Sequence, residues 1–352
     1  SNTPPITHHD SGILAANSVT PLDSLGNPDT NGAIVLLSTG MSNATQEYCS
    51  KAGSLPCDAW SFTGQTLVHQ EVNHDELLIA NGAKGGQALA TWDSPTDQNY
   101  DRVRDQVLKP MAVSESQVQI IWAKHARANP GVSLPASNAD AFVLLKGVGD
   151  FVRAVKIRYP NIRQVFFYSR IYAGYASSSL NPEPFAYESG FAVKWLIEAQ
   201  IRQRDTGTID PVAGDLGNAV APWLGWSAYL WADGENSRRD GLTWLCSDFE
   251  DDGTHPEQSA ERQVGRHLLD FFLESPYSNS WFVTGSTLPV TGTTGALVVP
   301  ASVIPGDGLT ITITDQDHNV REDAIEFVIV TVVNDSSNES EIVTLAETGL
   351  NT

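Results

Sequence analysis

The sequence predicts an α/β fold: a three-layer α/β/α domain built on a parallel sheet, followed by a small all-β sandwich domain. Short apolar runs alternate with longer amphipathic runs from residue 33 to about residue 275. Such alternation is typical of parallel strands joined by right-handed helical crossovers. After residue 286, runs with a period of two, such as LTITIT and FVIVTVV, replace the helical patterns. That change predicts the sandwich.

The strands of the first domain are short and mostly apolar, as strands buried on both faces of a parallel sheet are. Five runs fit this description: AIVLLS (33–38), ELLIANGA (76–83), VQIIWAK (118–124), QVFFYSR (164–170) and LTWLCS (242–247). Four amphipathic runs predict helices at residues 99–112, 140–160, 185–204 and 256–275. Strand and helix therefore alternate through most of the domain.

These patterns divide the 352 residues into three parts. Residues 1–30 are rich in Pro, Asn, Ser and Thr, and we expect an extended segment wrapped on the surface. Residues 31–283 are predicted to form the α/β domain, and residues 284–352 the β-sandwich. A chain of this length fits two domains of about 100–200 residues each.

Charge and hydropathy exclude two classes of protein. The net charge is −21, with 42 acidic against 21 basic residues, whereas nucleic-acid binding requires clustered Lys and Arg. No run approaches the roughly 18 consecutive apolar residues of a membrane span.

The chain starts at Ser1 rather than Met, as after removal of a signal peptide. We therefore expect a secreted or cell-surface protein that binds no nucleic acid.

Three cysteines are present, at positions 49, 57 and 246. Cys49 and Cys57 flank the short loop CSKAGSLPC. Two interpretations stay open for them: a disulfide formed in an oxidising compartment, or two free thiols. Cys246 lies in the last predicted strand and is expected to be a small buried residue.

Three polar segments follow predicted strands or precede the last helix: GMSN (40–43), NGAKGGQALATW (81–92) and DDGTHP (251–256). In open α/β sheets, ligands bind at the carboxyl ends of the strands. We therefore expect these segments to meet at one edge of the sheet. Taken singly, each is also compatible with an ordinary polar turn.

The residue types in these segments fit nucleophilic catalysis. A serine hydroxyl needs an adjacent base, and an imidazole base needs a carboxylate to fix its tautomer. Ser42 can be the nucleophile, and His255 and Asp252 can supply the other two groups. The backbone amides of Ser42 and Gly86 are candidate donors to the oxyanion that forms on an attacked ester carbonyl.

With these motifs, residues 31–275 resemble the SGNH, or GDSL-like, hydrolase superfamily. GMSN is similar to the GQSN of sialate O-acetylesterases and related acetyl xylan esterases, and NGAKGGQ to the N-x-A-x-x-G-R block of rhamnogalacturonan acetylesterases. The resemblance implies a flavodoxin-like α/β/α sheet. It also implies Ser42 as nucleophile, His255 as base, Asp252 as its partner and Gly86 as an oxyanion donor, with no metal or organic cofactor.

The third block of the family departs from its pattern in this chain. Where members carry G-x-N-D or W-x-Q-G-E, the sequence has WAKH (122–125). Lys124 stands nearest the donor position and is a candidate third oxyanion donor, or else a salt-bridged neighbour; Asn129 is a second candidate. The departure also leaves open a catalytically inactive carbohydrate-binding or adhesion protein on the same fold.

A long insertion between the fourth strand and DDGTHP supplies candidate substrate contacts. Trp226 and Trp231 offer flat faces that stack on sugar rings, and Arg170 offers a polar contact; the alternative is that the aromatic residues form a core beneath the loop. We expect a serine esterase that hydrolyses short-chain (acetyl) esters on an acylated saccharide or a small ester. A GDSL-type lipase acting on long acyl chains is the other alternative.

The predicted sandwich contains one candidate cation site. Asp315, Asp317 and Asn319 occupy alternating positions whose oxygen atoms could bind Ca²⁺, the alternative being a solvated acidic turn. The spacing is not that of an EF-hand loop. The segment resembles the Ig-like modules of bacterial surface and secreted proteins, which implies a spacer, an anchor or a binding module in a bacterial exported protein.

Overall fold

Five parallel strands form the centre of the first of two compact units, Ser1–Ser286 and Thr287–Thr352. The computed structural model describes residues 3–51, 53, 55–285, 296–298, 310–314, 327–333 and 340–346. The strands of the sheet are β1 (Ile34–Gly40), β2 (Leu77–Asn81), β3 (Val118–Lys124), β4 (Gln164–Phe167) and β5 (Trp223–Trp226). Their order is β2-β1-β3-β4-β5, so the α/β fold predicted from the alternating pattern is confirmed.

Helices cover both faces of this sheet. They are α1 (Ile6–Asn17), α2 (Ser42–Tyr48), α3 (Phe62–Thr66), α4 (Gln98–Val103), α5 (Asp140–Arg158), α6 (Phe185–Thr206), α7 (Gln258–Glu274) and α8 (Asn279–Phe282). One apolar cluster joins the sheet to α4, α5 and α6, and a second joins it to α1, α2, α3, α7 and α8. The sheet is therefore the middle of three layers.

Strand β1 lies between β2 and β3, and all seven of its residues are buried. Val35 and Leu37 pack into one apolar cluster, whereas Ile34 and Leu36 pack into the other. Because both faces are covered, the strand shows no alternation of polar and apolar residues.

Gly40 allows the chain to turn sharply from β1 into α2. A Cβ at this position would lie 2.3 Å from the carbonyl oxygen of Lys124 and 2.8 Å from the Cβ of Ala44. Its φ of +145° also lies outside the range that L side chains favour. Glycine is therefore required here, and α2 begins two residues later at Ser42.

Three sequence predictions differ from the structure. Residues 1–30, predicted to be extended, contain α1, whose His8 Nε2 lies 2.9 Å from the carbonyl oxygen of Leu224. The buried residues of α1 are His8, Gly12 and Ala16, so no apolar stripe marked the helix. The run 242–247 is not a strand; its Leu242 and Trp244 are buried in loop structure, and Cys246 is exposed rather than buried.

The described residues of the second unit form two antiparallel pairs of strands. β6 (Ala296–Val298) pairs with β7 (Thr312–Thr314), and β8 (Phe327–Val333) pairs with β9 (Ser340–Ala346). The β-sandwich, and its resemblance to Ig-like modules, stay predictions. Asp315, Asp317 and Asn319, the candidate calcium ligands, lie outside the described residues.

Cys49 and Cys57 are joined by a disulfide, which resolves the choice that the sequence left open. The bridge closes the loop that follows α2, where the amide of Asp58 donates to the carbonyl oxygen of Cys49 at 2.8 Å. None of the described helices has both the length and the apolar character needed to cross a bilayer.

Candidate active site

Ser42, His255 and Asp252 form a hydrogen-bonded chain at the carboxyl edge of the sheet. His255 Nε2 lies 2.8 Å from Ser42 Oγ, and His255 Nδ1 lies 2.5 Å from Asp252 Oδ2. Both distances are within hydrogen-bonding range. The structure thus brings together the three residues that the sequence singled out, in the geometry that a base needs to accept the serine proton.

The turn DGTH holds the Asp252 carboxylate in place. Asp252 Oδ1 accepts from the backbone amides of Thr254 at 2.8 Å and His255 at 2.9 Å, which leaves Oδ2 for the imidazole. Gly253 permits the turn, since its φ is +63° and a Cβ would lie 1.9 Å from the carbonyl oxygen of Tyr175. The carboxylate is therefore fixed by backbone contacts as well as by the ring.

Hydrogen bonds keep Asp252 ionised. Partial burial alone would raise the pKa of this carboxyl, but the amides of His255 and Thr254 and the His255 ring together lower it below its ordinary value. The negative charge favours the tautomer with a proton on Nδ1, so that Nε2 can accept the Ser42 proton.

Helix α2 and the histidine turn are also joined directly. Asn43 Nδ2 donates to the carbonyl oxygen of Thr254 at 2.9 Å, and both residues are buried. Asn43 follows the serine and Thr254 precedes the histidine, so this bond helps to fix the distance between the two reacting side chains.

The glycine loop after β2 borders the nucleophile. A Cβ on Gly85 would lie 3.8 Å from the Cβ of Ser42, and one on Gly86 would meet no atom within 4 Å. The amide of Lys84 donates to the carbonyl oxygen of Gly40 at 3.1 Å, which ties the loop to the end of β1. Backbone without side chains therefore lies beside Ser42. The role of the Gly86 amide as an oxyanion donor stays a prediction.

Lys124 does not point an available ammonium group at the site, contrary to its proposed role as third oxyanion donor. Only 3% of it is exposed, and its Nζ lies 2.5 and 2.6 Å from the two carboxylate oxygens of Glu47. The ammonium also lies 4.6 Å from the ring centroid of Tyr168. Burial lowers the pKa of Lys124 to about 8, against the opposing effect of Glu47. The salt-bridged alternative is the one observed.

Asn129, the second candidate for the third donor, is exposed and bonded elsewhere. Its Oδ1 accepts from Ser179 Oγ at 3.1 Å, and its amide donates to the carbonyl oxygen of Leu180 at 2.8 Å. The structure thus ties Asn129 to the loop after β4.

Arg170, predicted as a substrate contact, is buried near the same charges. It is 2% exposed, and its Nε and Nη2 have no hydrogen-bond partner among the described residues. Burial lowers the pKa of the guanidinium, while Glu47 and Asp252 act in the opposite direction. Sequence reasoning missed Glu47, because no motif connects a helical glutamate with a lysine that ends one strand and an arginine that follows another.

The two tryptophans predicted to bind substrate lie in different surroundings. Trp231 Nε1 donates to Glu183 Oε1 at 2.9 Å, and its ring centroid lies 4.5 Å from that of Tyr187. Trp226 and Tyr229 line a cavity of about 680 Å³ along β5 and α6. None of the three hydrogen-bonded site residues lines that cavity, so the structure does not bring Trp226 to the serine.

Comparisons with known proteins give structural likenesses only. No family model matches the sequence, and no curated protein matches it. A carbohydrate esterase family 2 enzyme with a carbohydrate-binding domain from Corynascus thermopiles is 12% identical, with a TM-score of 0.36 over 69% of this chain and 67% of that one. An extracellular lipase from Streptomyces rimosus is 13% identical, with a TM-score of 0.32 over 67% and 100%. The chemistry of this chain is therefore argued from the contacts around Ser42.

Proposed function

We propose that this chain is a serine ester hydrolase of the SGNH type that hydrolyses short-chain, acetyl esters. One observation carries the proposal: His255 bridges Ser42 Oγ and Asp252 Oδ2 at 2.8 and 2.5 Å. A serine that is hydrogen-bonded to an imidazole, itself oriented by a carboxylate, is an activated nucleophile for acyl transfer.

In the first step, Ser42 Oγ attacks the ester carbonyl carbon while His255 Nε2 takes the hydroxyl proton. Asp252 stabilises the imidazolium without accepting its proton. The carbonyl oxygen becomes an oxyanion, for which the amides of Ser42 and Gly86 are the proposed donors.

In the second step, the tetrahedral intermediate collapses as His255 returns the proton to the leaving alcohol. The acyl group stays on Ser42 as an ester. A water molecule, deprotonated by His255, then attacks the carbonyl carbon of this acyl-enzyme. The bond to Ser42 Oγ breaks as His255 returns the proton to that oxygen, which releases the carboxylic acid and regenerates the serine. Both half-reactions use the same three side chains, and no step requires a metal or an organic cofactor.

For the alcohol half of the ester we propose a saccharide, and for the location of the enzyme we propose export. The Cys49–Cys57 disulfide supports export, because disulfides persist in oxidising compartments. A lipase acting on long acyl chains is the second candidate. The 680 Å³ cavity has an apolar lining that includes Phe191, Ile197 and Trp223, but Ser42 does not line it, so the cavity does not favour the lipase over the esterase.

The test compares the wild-type protein with the Ser42→Ala variant on p-nitrophenyl acetate. We expect hydrolysis that the variant loses, together with a mass increase of the wild-type protein by one acetyl group when the reaction is quenched early. Absence of turnover on p-nitrophenyl and sugar esters, with sugar binding retained, would instead support the inactive binding protein. A chain-length series of p-nitrophenyl esters separates an acetylesterase from a lipase.

A further inference from the structure

We infer that Glu250 is a positioning residue that sets the orientation of His255 relative to Ser42. The inference rests on the proposed function, since it concerns the alignment of the base with the nucleophile. The carboxylate of Glu250 bonds to Gln46 in α2 and to Lys51 in the disulfide loop. Glu250 therefore acts through the segments that carry the two reacting side chains.

The backbone of Glu250 closes the turn that carries His255. Its amide donates to the carbonyl oxygen of His255 at 2.9 Å, and its carbonyl oxygen accepts from the amide of Gly253 at 2.8 Å. The next pair outward, Phe249 and Pro256, forms an antiparallel bridge. A displacement of Glu250 is therefore passed to His255 through short backbone contacts.

The side chain of Glu250 ties this turn to α2. Gln46 Nε2 donates to Glu250 Oε1 at 3.3 Å, and Gln46 is only 3% exposed, so its amide has little access to water as another partner. Asn43, three residues earlier, donates to the carbonyl oxygen of Thr254 at 2.9 Å. Residues three apart lie on the same face of a helix. Helix α2 therefore holds the turn at two points.

Two points of attachment fix an orientation that one cannot fix. The bond from Asn43 limits the distance between α2 and the turn, but it allows the turn to pivot. The bond at Glu250 opposes that pivot. Proton transfer from Ser42 Oγ to His255 Nε2 depends on both their distance and their direction. Loss of the second bond should therefore lower kcat without changing the fold.

Lys51 holds the carboxylate where Gln46 can reach it. Its Nζ lies 2.6 Å from Glu250 Oε1, the oxygen that also accepts from Gln46. Lys51 belongs to the loop that the Cys49–Cys57 disulfide closes, and closure restricts the positions that such a loop can adopt. The lysine side chain is 71% exposed, so the ion pair contributes little to folding stability. We therefore expect its effect on alignment.

The experiment measures kcat and KM on p-nitrophenyl acetate for Glu250→Ala, Glu250→Gln and the control Asp251→Ala. The glutamine keeps an oxygen that can accept from Gln46 and Lys51. Asp251 is exposed, and its side chain forms no hydrogen bond with any residue that the structure describes. Its replacement removes the same charge from the same turn. Circular dichroism and urea unfolding check that each variant is folded.

In Glu250→Ala we expect kcat to fall about tenfold while KM changes less than about twofold, because the alignment of the base is lost and the substrate contacts remain. Glu250→Gln should recover most of the loss, and Asp251→Ala should resemble the wild-type protein. The downfield proton resonance of the bond between His255 Nδ1 and Asp252 should persist in Glu250→Ala, since that bond lies within the turn. A general loss of structure would remove it.

A charge exchange tests the same contact at an exposed position, and it decides the matter if Glu250→Ala does not fold. Lys51→Glu should lower kcat about threefold by repelling Glu250. The double variant Lys51→Glu/Glu250→Lys should recover that loss, because the exchanged charges attract each other again. Gln46 Oε1, which has no partner among the described residues, can then accept from the introduced ammonium group.

The inference is overturned if kcat is unchanged in Glu250→Ala and Lys51→Glu, if Asp251→Ala loses as much kcat as Glu250→Ala, or if the exchange variant recovers nothing. A rise in KM at constant kcat overturns it too, as does loss of the downfield resonance in Glu250→Ala. In each case hydrolysis by the wild-type protein leaves the proposed function intact. No hydrolysis by the wild-type protein, with Ser42→Ala indistinguishable from it, overturns the proposed function and this inference together.

Discussion

His255 Nε2 lies 2.8 Å from Ser42 Oγ, although 213 positions separate the two residues in the chain. Ser42 is reached from the end of β1, and His255 from the turn that precedes α7. Contact between them is possible because the parallel topology brings the carboxyl end of β1 and this turn to the same edge of the sheet. Catalysis would depend on keeping that contact and its orientation.

Replacing Asp252 with Asn should lower kcat on p-nitrophenyl acetate by about 10³- to 10⁴-fold, because the amide cannot stabilise the imidazolium and favours the wrong tautomer of His255. Stopped-flow or steady-state kinetics measure the loss. Circular dichroism serves as the control for folding, since the backbone contacts of the turn are retained. A folded variant with near wild-type kcat would remove Asp252 from the proposed mechanism.

Replacing Gly86 with Ala should reduce activity and stability together. Its φ is +75°, and an L side chain in this region costs roughly 1–2 kcal/mol. Gly85→Ala is the matched comparison, because its Cβ would make an ordinary contact of 3.8 Å with Ser42. We expect the larger losses of kcat and of unfolding free energy at position 86. Equal effects at the two positions would argue against a special role for Gly86.

Replacing Lys124 with Met should destabilise the fold by about 3–5 kcal/mol, because the buried Glu47 loses its ion-pair partner. The double variant Lys124→Met/Glu47→Leu should recover most of that loss, as urea unfolding would measure. Its kcat should stay within a few-fold of the wild-type value. A folded double variant with kcat reduced more than about 100-fold would restore Lys124 as an oxyanion donor.

Glu261 should make stability fall as the pH rises. Burial raises the pKa of this carboxyl from 4.5 to about 7, against the bond from Trp60 Nε1. Between pH 4.5 and 7 the folded protein therefore keeps a proton on Glu261 that the unfolded chain releases. The stabilisation that this proton provides is complete below pH 4.5 and is lost as the pH rises to 7 and above.

The Glu261→Gln variant removes this dependence and keeps an acceptor for Trp60. The unfolding free energy of the variant minus that of the wild-type protein should therefore increase by up to about 2–3 kcal/mol between pH 4.5 and pH 8, because only the wild-type protein loses this stabilisation. Urea unfolding of both proteins at the two pH values measures the difference. A gap between the proteins that does not change with pH would contradict the raised pKa.

The sequence was sufficient to predict the hydrogen-bonded chain of Ser42, His255 and Asp252, because that prediction depended on the topology of the sheet, on the residue types that nucleophilic catalysis needs and on the resemblance to SGNH hydrolases. Apolar strands identified the sheet, and parallel connections imply that polar segments following strands share an edge. No side-chain direction had to be known. The charged surroundings of Lys124 could not be predicted in this way, since its pairing with Glu47 depends on how α2 packs over β3.

Short or atypical elements were the other source of error. Strand β5 has four residues and includes a glycine, so its length and composition gave no signal of a strand. Helix α1 buries a histidine, a glycine and an alanine, and these do not form the apolar stripe that marks an amphipathic helix. The two elements contact each other instead: Trp223 Nε1 of β5 donates to the carbonyl oxygen of His8 in α1 at 3.0 Å. A contact between residues this far apart in the chain leaves no local sequence pattern.

The hydrogen bond from Asn43 to Thr254 couples the unfolding of α2 to that of the turn that carries His255. It joins the helix that carries the serine to the turn that carries the histidine, so opening one segment exposes a buried polar group of the other. Amide protons of the two segments should therefore exchange with solvent in a single cooperative event. The protein would lose its reactive centre all at once under mild denaturing conditions, while the rest of the sheet stays protected.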